Sequence, residues 1–429
     1  MKILAPSYVF PNIRHIRTIM FKNIFSSLKN KTELDVTWVI FQPDKFSSTN
    51  HHDASLLDIH GFDHAVSLLK NVNPDGILIT STPDIIQYTM CIAAKYLNIP
   101  IFSIYVYSKF LVGSKSHQPI HKSIRRLFGK LSANKVSTDS LSQYKFLRRL
   151  KFIMYKIKFS FNTLHNIKIN FIGSLMTVSK NILADMVDRT RNYNDMADYH
   201  FLPDDSWSEF LVKNGIDRES LFITGNPYWE NLVCVDNSVQ KKSDLQNSVN
   251  LLIVTDSLRE HNYWSEKQMN EFIQNLILKL QQNTNLNFSF KIHPSSEDKQ
   301  YYSKLFQNYP KPIQIFQSEN LFDIITNFDL VISYGSTTAH TETIASNMKL
   351  ILIDLGMDLE LAPLVKEGIS CGLVTMCKSV DNIEKIIYDC LDKNVVISNN
   401  LMEKRAALFS KNNESSEQIA DIMIEKLSK

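Results

Sequence analysis

Cysteine is scarce in this chain of 429 residues, and what there is forms no motif. Cys91, Cys234, Cys371, Cys377 and Cys390 are scattered, odd in number and contain no Cys-x-x-Cys pair. That pattern argues against a disulfide framework and a zinc site, and fits reduced thiols in a cytosolic protein. Long apolar runs are also missing, so no segment is expected to span a bilayer. The opening MKILAPSYVF offers only Ile3, Leu4 and Ala5 between Lys2 and Pro6. It reads as a first strand rather than a signal peptide. No DxD-like motif stands in a convincing place, and the chemistry is expected to be metal-independent. No nucleic-acid recognition module is present, so nucleic acid is not an expected partner.

What is present is an ordinary globular composition, 44% apolar and 21% charged, with length enough for two or three domains. The net charge is only +3, but it is unevenly spread. Between Lys109 and Lys168 stand ten Lys and four Arg against a single acid, Asp139. Within that segment, Tyr144 to Leu164 has helical periodicity. Phe146, Leu147, Leu150, Ile153, Met154, Ile157, Phe161 and Leu164 form one apolar face, and Lys145, Arg148, Arg149 and Lys156 are interleaved. Two readings are open: an interfacial helix on an anionic membrane or acceptor surface, or a core helix with a solvated basic face.

Elsewhere strand and helix patterns alternate. Apolar strands are expected near 2–5, 35–41, 76–80, 99–106, 198–202 and 221–224, with helices between several of them. Residues 43–60 are polar and read as loop. A polar stretch at 235–248 reads as an interdomain linker. A second alternating series then runs from Leu251 through strands near 287–292, 313–316, 330–333, 350–353 and 373–376. Alternation of this kind predicts parallel sheets covered by helices on both faces. The expected layout is α/β, with a first Rossmann-like domain at 1–234, a basic helical insertion at about 109–193, and a second Rossmann-like domain at 249–429.

One stretch, 327–354, reads as strand, tight turn, helix and strand. Gly335 permits a sharp turn after the apolar run Leu330 to Ser333. Ser336, Thr337 and Thr338 follow where a helix starts, as caps or as phosphate ligands. Glu342 lies one turn on, where it could reach a ribose or sugar hydroxyl, or simply favour the helix start. Two other loops leave strand ends with polar groups. One holds Arg259, a forked cation for a phosphate unless it pairs with Glu260 or Glu266. The other is His293-Pro294. Ligands of open α/β sheets bind at such carboxyl ends.

These blocks carry a resemblance. Phe222-Ile-Thr-Gly-Asn-Pro227, Lys291-Ile-His-Pro294 and Asp329-Leu-Val-Ile-Ser-Tyr-Gly-Ser-Thr-Thr338 with Glu342 resemble the GT-B glycosyltransferases, whose two Rossmann-like domains face a cleft. Similar blocks occur in capsule and surface-polysaccharide transferases, in CDP-glycerol glycerophosphotransferases and in non-hydrolysing UDP-GlcNAc 2-epimerases. The order His293-Pro294, Glu319, Ser336-Thr337-Thr338 also resembles bacterial sialyltransferases. That likeness implies that His293 assists the leaving phosphate, Glu319 holds ribose or base, and the hydroxyls bind phosphate.

The resemblance implies a transferase that moves a sugar from a CMP-, UDP-, GDP- or CDP-linked donor to an oligosaccharide or lipid-linked acceptor. It would work in the cytoplasm, peripherally on the inner face of the plasma membrane. The rivals are a glycerophosphotransferase, a 2-epimerase and a catalytically degenerate scaffold. An acceptor base is sought in the first domain among His15, Asp84, His117, His121 and Asp204. His15 and Asp84 follow strand ends.

Overall fold

The computed structural model describes residues 1–7, 16–40, 55–81, 83–106, 140–186, 195–230, 248–260, 263–294, 296–335, 337–356, 361, 363–392 and 414–428. They divide into two units. Unit 1 takes the described residues of Met1–Ser108, Lys115–Glu230 and Lys411–Lys429, and unit 2 those of Asn231–Ser410.

Unit 1 begins with β1 (Lys2–Ser7), α1 (Ile16–Lys31) and β2 (Asp35–Ile40). Met20, Ile24 and Leu28 recur every fourth residue of α1, and this stripe is buried on the sheet. There follow β3 (Ser55–Asp58), α2 (Ala65–Val72), β4 (Gly76–Thr80), α3 (Ile85–Tyr96) and β5 (Ile101–Ile104). After β5 come two long helices, α4 (Ser140–Asn166) and α5 (Phe171–Met186), then β6 (Tyr199–Leu202), α6 (Ser208–Lys213) and β7 (Leu221–Ile223). The seven strands are parallel in the order β3-β2-β1-β4-β5-β6-β7. β4 and β5 are buried along their whole length, as strands covered on both faces must be.

β3 lies inside the stretch expected to be loop. Its SLLD sequence is largely exposed and has no alternation to betray it. It is an edge strand held by its ladder to β2.

Unit 2 repeats the plan. It runs β8 (Val249–Val254), α7 (Glu266–Gln281), β9 (Leu286–Lys291), α8 (Lys299–Phe306), β10 (Ile315–Phe316), α9 (Leu321–Ile325) and β11 (Leu330–Tyr334). Then come α10 (Ala339–Ala345), β12 (Leu350–Ile353), α11 (Pro363–Ser370), β13 (Val374–Cys377) and α12 (Ile383–Asp392). The parallel order is β10-β9-β8-β11-β12-β13. In each sheet the order reverses at the first strand of the unit, between β1 and β4 and between β8 and β11.

The last helix, α13 (Ser415–Leu427), falls in the range read from the sequence as second domain, yet it packs in unit 1. Ile419, Ala420 and Met423 are buried with the α1 residues. Glu230 accepts hydrogen bonds from the Ser416 amide and hydroxyl, and Lys31 pairs with Asp421 at 2.7 Å.

Candidate functional site

Open parallel sheets bind ligands where the strand order reverses, because the loops there diverge and leave main-chain groups exposed. In unit 2 that point is the carboxyl end of β8 between β9 and β11. Ser333 is registered against Val254, and its hydroxyl donates to the Val254 carbonyl at 3.0 Å. This pairing brings Asp256 directly under Gly335. Gly335 has φ +75°, and a Cβ built on it would lie 2.8 Å from Cβ and 2.9 Å from Cγ of Asp256. Both the backbone conformation and the close approach require glycine.

After the turn, the Thr337 hydroxyl accepts from the Ala339 amide at 3.3 Å, whereas Thr338 occupies the N-cap without a side-chain cap bond. α10 is only seven residues long. Glu342 is buried within it rather than turned to solvent. Ser336 lies outside the described residues.

The loop after β9 is pinned by a carboxylate that the sequence reading did not single out. Glu297 is 5% exposed. It accepts from the His293 amide at 2.6 Å, from the Tyr302 hydroxyl at 2.5 Å and from the Thr255 hydroxyl. One buried side chain thus joins the ends of β8 and β9 to α8. Burial raises its pKa, against the lowering effect of the His293, Thr255 and Tyr302 bonds. The signal for it was slight: a glutamate three residues after Pro294, within a run that otherwise looks solvated.

His293 is half-buried, and its Nδ1 accepts from the Ser296 amide at 3.2 Å. An accepting Nδ1 places the proton of the neutral ring on Nε2. Ser257 and Ser296 share a hydrogen bond of 2.5 Å across the two loops. Lys291 is buried, its ammonium donating to the carbonyls of Ile292 and Gln317.

Two expected ligands are engaged locally. Arg259 donates from Nε to Glu260 at 2.8 Å, and its guanidinium lies 3.7 Å over the Tyr301 ring. Of the two roles open to it, the ion pair with Glu260 is the one observed. Glu319 accepts from the Gln317 amide at 2.8 Å, closing the turn after β10.

His340 is a further residue the sequence reading passed over. It is buried on α10, with Nε2 3.0 Å from the Ser333 hydroxyl, and burial lowers its pKa to about 4.

In unit 1, Asp84 is built into the scaffold. One oxygen caps α3 through the Gln87 amide at 2.9 Å, in a full capping box. The other meets the Lys156 ammonium at 2.8 Å. The two side chains are only 17% and 19% exposed, so Lys156 faces Asp84 and not an open surface. Burial raises the Asp84 pKa in spite of Lys156. His15 lies outside the described residues. Lys145, Arg148 and Arg149 lie on α4, with side chains outside the described ones.

A protein-family model described as UDP-N-acetylglucosamine 2-epimerase matches residues 184–423. That span is more than half the chain and includes β6, β7 and all of unit 2. The chain belongs to the UDP-N-acetylglucosamine 2-epimerase family. The matched span contains His293-Pro294 and the stretch from Gly335 to Thr338.

Solved structures agree in architecture. The Neisseria meningitidis UDP-GlcNAc 2-epimerase bound to UDP-GlcNAc is similar at TM-score 0.53 and 12% identity, over 99% of this chain and 100% of that one. The S. aureus MnaA–UDP structure is similar at 0.52 and 13%, over 100% and 97%. The glycotransferase of kitacinnamycin is similar at 0.50 and 10%, over 99% and 98%. At such identities these likenesses establish the fold, two parallel-sheet α/β domains of GT-B type. No curated protein sequence matches the chain.

Proposed function

We propose that this epimerase-family chain binds a UDP-linked N-acetylated hexosamine at the carboxyl ends of β8, β9 and β11 and inverts the sugar at C2. The observation that carries the reading is the family match over 184–423, which contains every loop of that site. Among the similar solved structures, S. aureus MnaA is seen with UDP and the Neisseria meningitidis epimerase with UDP-GlcNAc. In this reading the turn at Gly335 and Thr337 receives the diphosphate, and His293 donates from Nε2 to a phosphate oxygen.

Position C2 is not acidic by itself. Its proton passes to a base as the adjacent C1–O bond gives its electron pair to the diphosphate, leaving a C1=C2 double bond. Return of a proton to the opposite face of C2 and of the diphosphate oxygen to C1 then gives the epimer. Groups that stabilise charge on that leaving oxygen then lower the barrier.

A second reading, transfer of the sugar to a lipid-linked or surface-polysaccharide acceptor, draws support from the basic α4–α5 pair, for which an acceptor-free epimerase has no evident use. The two separate in one experiment. The full chain is incubated with UDP-GlcNAc alone and followed by proton NMR. Appearance of the C2 epimer without acceptor is the expected outcome. Release of UDP only on adding a lipid-linked acceptor would replace this reading with the transferase.

Binding is checked first by thermal shift with UDP, CDP, CMP and GDP. A ligand at one hundred times its Kd stabilises by about 2.7 kcal/mol. UDP should shift the protein, and His293→Ala and Thr337→Ala should each shrink the shift. A shift by CMP or CDP and not UDP would overturn the donor assignment.

A further inference from the structure

Helices α4 and α5 are packed against unit 1 by faces rich in polar groups, and they turn apolar faces outward. On α4 the inward residues include Ser160 and Thr163. The Thr163 hydroxyl accepts from the Ala65 amide at 2.9 Å, and Ser160 bonds to Thr89 at 2.8 Å. Phe159 and Leu164 are buried beside them, but Ile153 and Met154 remain 43% and 58% exposed. They belong to the apolar stripe that the sequence reading singled out.

On α5 the inversion is plainer. Ser174, Val178 and Asn181 are buried. Phe171, Ile172, Leu175 and Met176 are 66%, 69%, 51% and 68% exposed. Spacings of one, four and five residues place these four on one helical face. Single exposed apolar residues need no explanation, but a contiguous face does. The turn at 167–170 joins the helices, and Phe161 meets Phe171 edge-on at 5.4 Å.

The charge around this face has one sign. Lys151, Lys158, Lys168 and Lys180 are exposed. Residues 140–186 hold eight Lys and Arg against one acid, Asp185. A second copy would bring the same cations together. The chain's own 109–139 stretch has seven Lys and Arg against Asp139 alone, so it offers no complement either. A nucleic acid would seek aromatic platforms, whereas this face is mainly aliphatic. The complementary occupant is both apolar and anionic. No described helix is long and apolar enough to cross a membrane, so the contact lies in the plane of the interface.

We propose that the α4–α5 pair is a docking surface for an anionic phospholipid bilayer, entered by Phe171, Ile172, Leu175 and Met176 and steered by the surrounding lysines. The surface belongs to unit 1 and does not depend on the nucleotide reading of unit 2.

The test is co-sedimentation of the full chain with phosphatidylcholine vesicles containing about one-third phosphatidylglycerol, against phosphatidylcholine alone. The wild type should pellet with the anionic vesicles at about 0.1 M salt, and much less at about 0.5 M. Combined Phe171→Ser, Ile172→Ser, Leu175→Gln and Met176→Gln should reduce pelleting about tenfold or more, since each removes a buried apolar group in the bound state. Its Tm and its mass by light scattering should match the wild type. Lys168→Glu with Lys180→Glu should weaken binding at low salt while leaving Tm unchanged. Three outcomes would overturn the proposal. One is no pelleting of the wild type at low salt, and another is equal pelleting of the apolar variant. The third is a halved mass of that variant, which would assign the face to a second copy of the chain.

Discussion

An alanine at 335 would have to adopt φ near +75° and push into the Asp256 carboxylate. The left-handed backbone alone costs about 1–2 kcal/mol. Displacing Asp256, which lies in the loop after β8 in close contact with the turn, adds to it. Gly335→Ala should therefore destabilise by about 2 kcal/mol in urea unfolding and abolish any nucleotide thermal shift. An unchanged urea midpoint would mean that the turn relaxes freely and has no fixed geometry to offer a phosphate. Gly335 and His293 could be picked out in the sequence because each stands at the end of an apolar strand. Glu297 could not, because its burial depends on Thr255 and Tyr302, which are 42 and 5 residues away. Arg259 shows the converse: its charge is obvious, but whether it meets Glu260 or a ligand is a matter of local conformation.

At the scale of elements, an ion pair at the start of α3 links it to α4, beside the hydrogen bond between Thr89 and Ser160. Asp84 satisfies the first turn of α3 and holds Lys156 from α4. Asp84→Ala removes a cap, worth about 1 kcal/mol. It also strands a half-buried ammonium, which adds about 1–2 kcal/mol once residual solvent access is allowed for. A total loss of about 2–3 kcal/mol in urea unfolding is expected. Asp84→Ala with Lys156→Met should recover about half of it. If Asp84→Ala unfolds at the wild-type urea concentration, the cap and pair are dispensable, and a role for Asp84 outside the scaffold regains ground. The apolar stripe of α4 was visible in the sequence, but which face packs was not. Periodicity marks a face without saying what covers it. α5 was not singled out at all, since the structure buries its polar side.

For the molecule as a whole, among the described residues each unit carries one buried histidine whose pKa is lowered to about 4, His200 in unit 1 and His340 in unit 2. Burial is the leading cause in both, because it disfavours the imidazolium. The unfolded chain takes up these protons near pH 6.5 and the folded chain only near pH 4. Stability is therefore complete above pH 6.5 and falls as the pH drops through that window. Between pH 7 and pH 5.5 each histidine should remove about 1 kcal/mol. Urea unfolding at the two pH values measures the loss, and His340→Gln should flatten the dependence of unit 2. A stability independent of pH in this range would mean that water reaches both rings.

The sequence by itself determined the alternation of strands and helices, the two parallel-sheet units and the polar turn after β11. These follow from local period, from apolar runs too short for anything but buried strands, and from glycine at a position that side chains avoid. The tertiary structure decided the rest. It made an edge strand of 55–58, returned the last helix to unit 1 and gave His293 its carboxylate partner. It also set Lys156 on Asp84 and left the apolar face of α5 uncovered. Each of these rests on contacts between residues far apart in the chain, and no local pattern encodes such a contact.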